Sequence, residues 1–352
     1  GVFIVNKKNA FDIKLNTIWK NAEGISELKI PNSIELFDTY PNDDFDKSDQ
    51  IKIIPSPKLF DINNSDQFQF ENWNVKIDET FDENATLIID FFSKFFDEKT
   101  TMNNKKAHNI SIKSNNYLDD EHYLLEIKSN LIMIESKDIF GIRHAIQSLR
   151  QINSIYKNEK NGLPLIKLND GPRFSYRGFM LDISRNFFPK KKIMDVLDIL
   201  SLLKLNYLEL RLTDDEGWRI EIPGLPELTE VGAQRGYTEN EKDKLIPAYG
   251  SGAFGLKNGN GYLTKEDFKE ILIHANKLGV KVIPQISFPS HARAAIKAME
   301  ARYSKFISTN DNKNATKYLL NDFDDKSRYR SAQGYNDNII CICMKSSYTF
   351  FK

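Results

Sequence analysis

From Phe174 onward, short apolar segments ending in charged clusters alternate with amphipathic helical segments, and this alternation restricts the fold more than any other feature. Phe179 to Ile183 reads as a buried strand. Pro189 suits the first turn of a helix whose apolar face is Ile193, Val196, Leu197, Leu200 and Leu203. Tyr207 to Leu212 reads as a second strand. After a long polar stretch, Thr264 caps another helix, and Asp267 three residues on makes a capping box with Asp in place of Glu. Phe268, Ile271, Leu272, Ala275 and Leu278 line its apolar face, and Gly279 ends it. Val280 to Ile286 is a third strand and Ala292 to Tyr303 a helix. Such alternation predicts a parallel sheet, because a parallel neighbour is reached only through a crossover.

Upstream, Ile51 to about Leu168 reads as an α+β region. Its strand candidates are Ile51–Ile54, Thr86–Asp90, Ile110–Lys113, Tyr123–Ile127 and Leu131–Glu135, the last two flanking a tight turn at Lys128-Ser129-Asn130. Asp138 to Ile152 carries Ile139, Ile142, Ile146, Leu149 and Ile152 at helical spacing, one face covering a sheet; His144 on this helix is expected at a surface or interface. Residues 1–50 are polar, with β-like runs at Phe11–Leu15 and Ser33–Phe37 and an acidic linker at Asn42–Asp49, and read as a segment or the tail of an upstream domain.

The chain has 352 residues, enough for two domains, and its 49 basic and 49 acidic residues cancel. A balanced charge gives no field to draw nucleic acid or an anionic membrane, so a neutral substrate is the simpler expectation. No apolar run reaches the roughly 20 residues of a membrane span. Cys341 and Cys343 lack a second Cys or His cluster to complete a metal site, so no metal is expected and the pair reads as strand packing.

The charged clusters stand at the ends of the three strands. Asp182 and Arg185 follow the first; Asp214, Asp215, Glu216, Trp218 and Arg219 follow the second; Ser287 and His291 follow the third. Carboxyl ends of successive parallel strands face the same way, so the three clusters converge. Arg185 suits a bidentate grip on neighbouring hydroxyls, and an Asp aimed at His291 would fix its tautomer. Asp214 and Asp215 could instead cap the following loop and pair with Arg185; three clusters on one face favour a site.

These residues carry a resemblance. Ser184-Arg185-Asn186-Phe187, Thr213 to Ile222, Pro223 to Gly232, and His291 to Ile296 with Met299 to Tyr303 are colinear with segments of family 20 glycoside hydrolases, the β-N-acetylhexosaminidases, most closely the chitobiase type. The resemblance implies a (β/α)8 barrel at residues 169–352, with about three of its eight β/α units present, preceded by a small α+β accessory domain at 51–168. It implies removal of terminal N-acetylglucosamine or N-acetylgalactosamine from chito-oligosaccharides or glycans, without cofactor. In this mechanism the substrate's acetamido oxygen attacks the anomeric carbon while a Glu protonates the leaving oxygen. By motif position, Arg185 would hold the hydroxyls on C3 and C4, Asp214 would act with His291 in support of the acid, and Asp215 and Trp218 would help bind the sugar. The family's habit also implies secretion or a periplasmic location.

Two departures qualify that picture. Where the family has Pro-Glu-Ile-Asp-x-Pro-Gly/Ala-His, this chain has Pro284-Gln285-Ile286-Ser287-Phe288-Pro289-Ser290-His291, which removes two charges. No Gly-Gly-Asp-Glu segment supplies the family's acid, so the sequence reads as an N-terminal part of a longer enzyme, inactive alone. Asp322, Asp324 and Asp325 lie in a polar loop without strand context and are not expected to replace it. A three-strand arc would expose its strand edges and inner face. The alternative is a non-catalytic glycan-binding or remnant protein. A family 18 chitinase is disfavoured because no Asp-x-x-Asp-x-Asp-x-Glu run occurs.

Overall fold

The computed structural model describes residues 53–68, 73–95, 100–102, 110–156, 162–254 and 259–352, together with a two-strand ladder of Trp19–Lys20 (β1) and Glu27–Leu28 (β2). The β-like runs and acidic linker expected before residue 50 lie outside the described residues. Residues 1–51 and 52–352 form two separate units, the second built around two principal sheets.

The first of these is a seven-stranded mixed sheet, built from Leu59–Phe68 (β3), Trp73–Ile77 (β4), Thr100–Met102 (β5), Ile110–Ser114 (β6), Tyr123–Ile127 (β7), Ile132–Ser136 (β8) and Leu163–Asp170 (β9) in the order β3-β9-β7-β8-β6-β4-β5. Alternation decides its faces: Tyr123, Leu125 and Ile127 on β7 and Ile132 and Ile134 on β8 are buried, while their neighbours are half-buried. The turn between β7 and β8 closes with Lys128 N–H donating to the Leu131 carbonyl at 2.9 Å.

Two helices cover this sheet, Ala85–Phe95 (α1) and Ile139–Tyr156 (α2). The strand expected at Thr86–Asp90 is therefore helix. Ile88, Phe91 and Phe92 are buried at three- and four-residue spacing, a period that the short window Thr86–Asp90 is too brief to reveal. Ile53 and Ile54 form no strand either, and Ile54 is exposed, exchanging backbone bonds with the Gln151 side chain at 2.9 and 2.8 Å. Helix α2 starts where expected, with Asp138 Oδ1 accepting from Gly141 N–H at 2.9 Å.

The second layer is a parallel three-stranded sheet of Gly178–Asp182 (β10), Tyr207–Arg211 (β11) and Lys281–Gln285 (β14), with β11 in the middle. Helices Lys190–Leu202 (α3) and Lys265–Leu278 (α5) are its crossovers; between them lies the short Glu227–Glu230 (α4). Thr264 and Asp267 make the reciprocal capping box, and Gly279 closes α5 at φ 74°, a left-handed turn that glycine reaches without strain. The centre strand buries Leu208 and Leu210. On β10, expected to be buried, Phe179 and Met180 are 45% and 49% exposed. An outer strand has only one neighbour, and no described element shields these two side chains from solvent. Cys341 and Cys343 also depart from expectation, lying in a loop with Cys343 exposed, because no strand forms there.

Helix α2 joins the layers. One side packs Ile142, Ile146 and Leu149 on the sheet, and the other carries buried Gln147, whose Nε2 donates to Ser201 Oγ on α3 at 3.0 Å. Beside it lies a buried polar cluster. Lys204, in the turn between α3 and β11 with φ 59°, donates to Asp170 Oδ2 at 2.9 Å and to the Tyr123 hydroxyl at 2.7 Å. Glu121 takes His144 Nε2 at 3.1 Å and pairs with Arg177, whose Nε donates to the Lys204 carbonyl at 2.8 Å. Residues from β7, β9, α2, the α3–β11 turn and the segments just before β7 and β10 thus share one network, and His144 is an interface residue.

Burial pushes the Glu121 carboxyl up, but the bonds from His144 and Arg177 outweigh it and bring it down to about 2. Burial pushes the His144 imidazole down. A lowered carboxyl stabilises the fold above its unfolded value and loses that contribution as pH falls through the folded value. A lowered imidazole works in the same direction, since unfolding takes up a proton. Melting curves should therefore show stability falling between about pH 6.5 and 2, and Glu121→Gln should flatten the part below about pH 4.5. After discounting for solvent, the Glu121 contribution is about 1–2 kcal/mol.

Candidate active site

The parallel register sets the site. Asp182, Arg211 and Gln285 end β10, β11 and β14 in paired positions, so their side chains form one row at the carboxyl ends. Asp182 Oδ1 accepts from the backbone N–H groups of Ser184 and Arg185 at 2.9 and 3.1 Å and from Ser184 Oγ at 2.6 Å. This turn throws the Arg185 side chain back over the row, where its NH1 meets Asp182 Oδ2 at 3.3 Å.

After β11 the chain folds into a two-strand ladder, Thr213–Asp214 (β12) with Gly217–Trp218 (β13), so that Asp215 and Glu216 form a two-residue turn. Gly217 is required here: a Cβ would stand 2.5 Å from the Arg219 guanidinium. Arg219 is fully buried. It donates to the carbonyls of Ser184 at 3.1 and 3.0 Å, Ala233 at 2.9 Å, Gly259 at 2.9 Å and Gly261 at 3.1 Å. One side chain thereby gathers the loop after β10 and both ends of the long loop before α5.

Asp214, 1% exposed, is the hub of the acidic group. Its Oδ2 pairs with Arg211 NH2 at 2.5 Å and Arg185 NH2 at 3.2 Å, and its Oδ1 lies 3.1 Å from His291 Nδ1. Asp215 Oδ2 is the imidazole's second neighbour at 3.4 Å. His291 sits at φ 56° just before helix Arg293–Ile307 (α6), and the left-handed turn aims its ring at the two carboxylates. Asp214, Asp215 and His291 could offer a cation three ligand atoms within 4.8 Å of one another, but two guanidiniums already supply positive charge at Asp214.

Asp215 and Glu216 are both held above the ordinary carboxyl range. Burial is the largest cause for each, and for Glu216 the charges of Asp214 and Asp215 add to it. Four buried polar atoms here have no hydrogen-bond partner among the described residues: Arg185 Nε, Arg211 Nε, Glu216 Oε2 and Gln285 Oε1. Arg185 Nε and Glu216 Oε2 face each other at 3.8 Å as an ion pair.

The structure brings Arg185, Asp214, Asp215 and His291 together. It does not bring Trp218 with them. That indole is 4% exposed and packs in a core with Leu228, Ile296 and Met299, its Nε1 donating to the Ile220 carbonyl at 2.7 Å. Period-two alternation places residues 214 and 218 on different sides of the ladder, which explains the separation. Asp215 is also too enclosed to present a free face: Asn338 Nδ2 and Arg293 N–H hold it at 2.9 and 3.2 Å. Sequence reading passed over Arg211, a strand residue whose polar side chain recurs in register with Asp182, and Asn338, for which no local signal exists. Ser287 is tied to Thr213 through both its N–H and its hydroxyl, at 2.8 and 2.9 Å.

Residues 174–352 match the catalytic domain of glycosyl hydrolase family 20. The chain belongs to this family. It is 42% identical over 242 residues to a β-hexosaminidase of Vibrio vulnificus, an alignment covering 69% of this chain and 28% of that protein. It is 44% identical over 229 residues to the N,N'-diacetylchitobiase of Vibrio harveyi, covering 65% and 26%. The family 20 exo-β-N-acetylglucosaminidase of Vibrio harveyi, solved in complex with N-acetylglucosamine, superposes with a TM-score of 0.70 at 30% identity over 85% of this chain and 43% of that one. The chain thus spans less than half the length of these family 20 relatives.

Arg219→Lys should be strongly destabilising, because one ammonium cannot reach the carbonyls that the guanidinium fork serves. Urea unfolding should register a loss of about 3 kcal/mol or more. Gly217→Ala should approach that loss through the clash alone.

Proposed function

We propose that the protein is a β-N-acetylhexosaminidase of the chitobiase type, in which the described site holds the terminal sugar and supports the acid. The observation that carries this reading is the linked chain Arg185–Asp214–His291, contributed by three neighbouring strand ends. The Arg185 side chain is partly exposed beside buried Asp214, where neighbouring sugar hydroxyls could bridge its guanidinium and the carboxylates around it. A buried Asp214 holds the imidazole with Nδ1–H towards itself, leaving Nε2 to face the group that protonates the leaving oxygen. In this reading β10, β11 and β14 are the first three strands of a (β/α)8 barrel, the seven-stranded sheet is an accessory domain, and hydrolysis is substrate-assisted with retention.

Residues 1–352 contain no Gly-Gly-Asp-Glu segment, so they are expected to recognise the sugar without cleaving it. The substrates would be chito-oligosaccharides or glycans ending in N-acetylglucosamine or N-acetylgalactosamine, met outside the cytoplasm. The neutral Gln285 and Ser287 favour a second reading, a glycan-binding protein that does not hydrolyse in any form.

Calorimetry with N-acetylglucosamine tests the common part of both readings. Binding should be measurable, and Arg185→Ala should weaken it by about 10- to 100-fold, the loss of one or two charge-assisted hydrogen bonds. Affinity unchanged by that substitution would remove Arg185 from the sugar site. Release of chromophore from a β-N-acetylglucosaminide by a form that includes a Gly-Gly-Asp-Glu segment separates the enzyme from the binding protein.

A further inference from the structure

Asp215 has a tether that sugar recognition does not explain. Asn338 comes from a point 123 residues away and is 2% exposed, yet its Nδ2 meets Asp215 Oδ2 at 2.9 Å. The Asn338 backbone is fixed independently. Its N–H donates to the Tyr329 hydroxyl at 2.9 Å, and its carbonyl accepts from Ala292 N–H at 3.1 Å. On one side Asp337 pairs with Arg293 Nε at 2.8 Å and Lys297 Nζ at 3.1 Å. On the other, Ile340 N–H donates to the Pro289 carbonyl at 2.8 Å. The amide is therefore set rigidly against Pro289–Arg293, the segment that carries His291.

The oxygen that Asn338 occupies is one that His291 could take. His291 Nδ1 stands 3.1 Å from Asp214 Oδ1 and 3.4 Å from Asp215 Oδ2. A ring nitrogen carries one proton and aims it along one direction, so it serves one carboxylate well at a time. We infer that Asn338 is a positioning residue that assigns the His291 Nδ1 proton to Asp214 by filling the competing oxygen of Asp215.

The surrounding charges fit that role. Arg185, from the turn after β10, and Arg211, from β11, both stand at Asp214. Asp182 and Glu216 face Arg185, and Asp182 faces Arg211 as well. On the α6 side, the Arg293 guanidinium is turned to Glu241 and Asp337, so only its backbone N–H reaches Asp215. The Tyr335 ring lies over the Arg293 guanidinium at 5.2 Å. Among the described residues, Asn338 is thus the side chain that donates a hydrogen bond to Asp215. Burial raises the Asp215 carboxyl, and the Asn338 amide offsets part of that rise. The catalytic meaning of this arrangement rests on the hexosaminidase reading; the hydrogen-bond assignment does not.

Carbon-13 NMR of the Asp215 carboxyl and nitrogen-15 NMR of the His291 ring test the assignment. Asn338→Ala should raise the Asp215 titration midpoint by about one unit, the value of one hydrogen bond to a charged group, and should move the His291 Nδ1 proton resonance. In an Asp215→Ala background the same substitution should leave His291 unmoved, because the effect passes through Asp215. Asn338→Leu, similar in volume and without a donor, should act as Asn338→Ala does and serves if the alanine variant does not fold. An unshifted Asp215 midpoint would overturn the inference. So would a His291 change of equal size in the Asp215→Ala background, which is what a merely structural role predicts. Failure to bind N-acetylglucosamine would overturn the sugar reading and leave these resonances as expected.

Discussion

The site depends on a guanidinium that is wholly buried. Arg219 is buried among carbonyl oxygens from Ser184, Ala233, Gly259 and Gly261, which come from separate loop segments. A loop's backbone acceptors are costly to bury without partners. Supplying five donors from one planar group meets several at once and fixes the distance between the loops. Gly217 allows the approach, since any side chain there would fall on the guanidinium. Arg185 inherits its place from this frame through Ser184, its neighbour in the chain, whose carbonyl Arg219 holds.

Electrostatics at the strand ends follows from crowding. Asp214 serves two arginines and an imidazole, while Asp215 and Glu216, next along the chain, have fewer cations and are held above the ordinary carboxyl range. Three consecutive acidic side chains therefore have three different environments, set by the two-residue turn that points them apart. The uncharged Gln285 leaves Arg211 to Asp214, and Ser287 spends its hydrogen bonds on Thr213.

Much of this was legible in the sequence where the signal is periodic or local. The capping box at Thr264, the glycine stop at Gly279, the three parallel strands and the helix after Asp138 all follow from spacing. Thr86–Asp90 misled because five residues cannot distinguish a helix from a strand when most are apolar. The β10 side chains misled because hydrophobicity reports what a strand is suited to bury, and burial needs a covering element. Trp218 sits within a motif of site residues, but the ladder turns it into the core; only the pairing of Thr213 with Trp218 reveals that. Asn338 was beyond reach, since a contact across 123 residues leaves no pattern in a single sequence.

The polar cluster around Lys204 has a further consequence for how the molecule comes apart. Lys204 belongs to the parallel layer, yet its ammonium is satisfied by Asp170 and Tyr123 of the mixed sheet, and Arg177 is likewise satisfied by Glu121. Pulling the layers apart would leave buried charges without partners on both sides, a far greater penalty than parting apolar surfaces of the same area. The two layers are thereby coupled into one cooperative unit, and amide protons in β7 and β11 should exchange through a shared opening event instead of two independent ones.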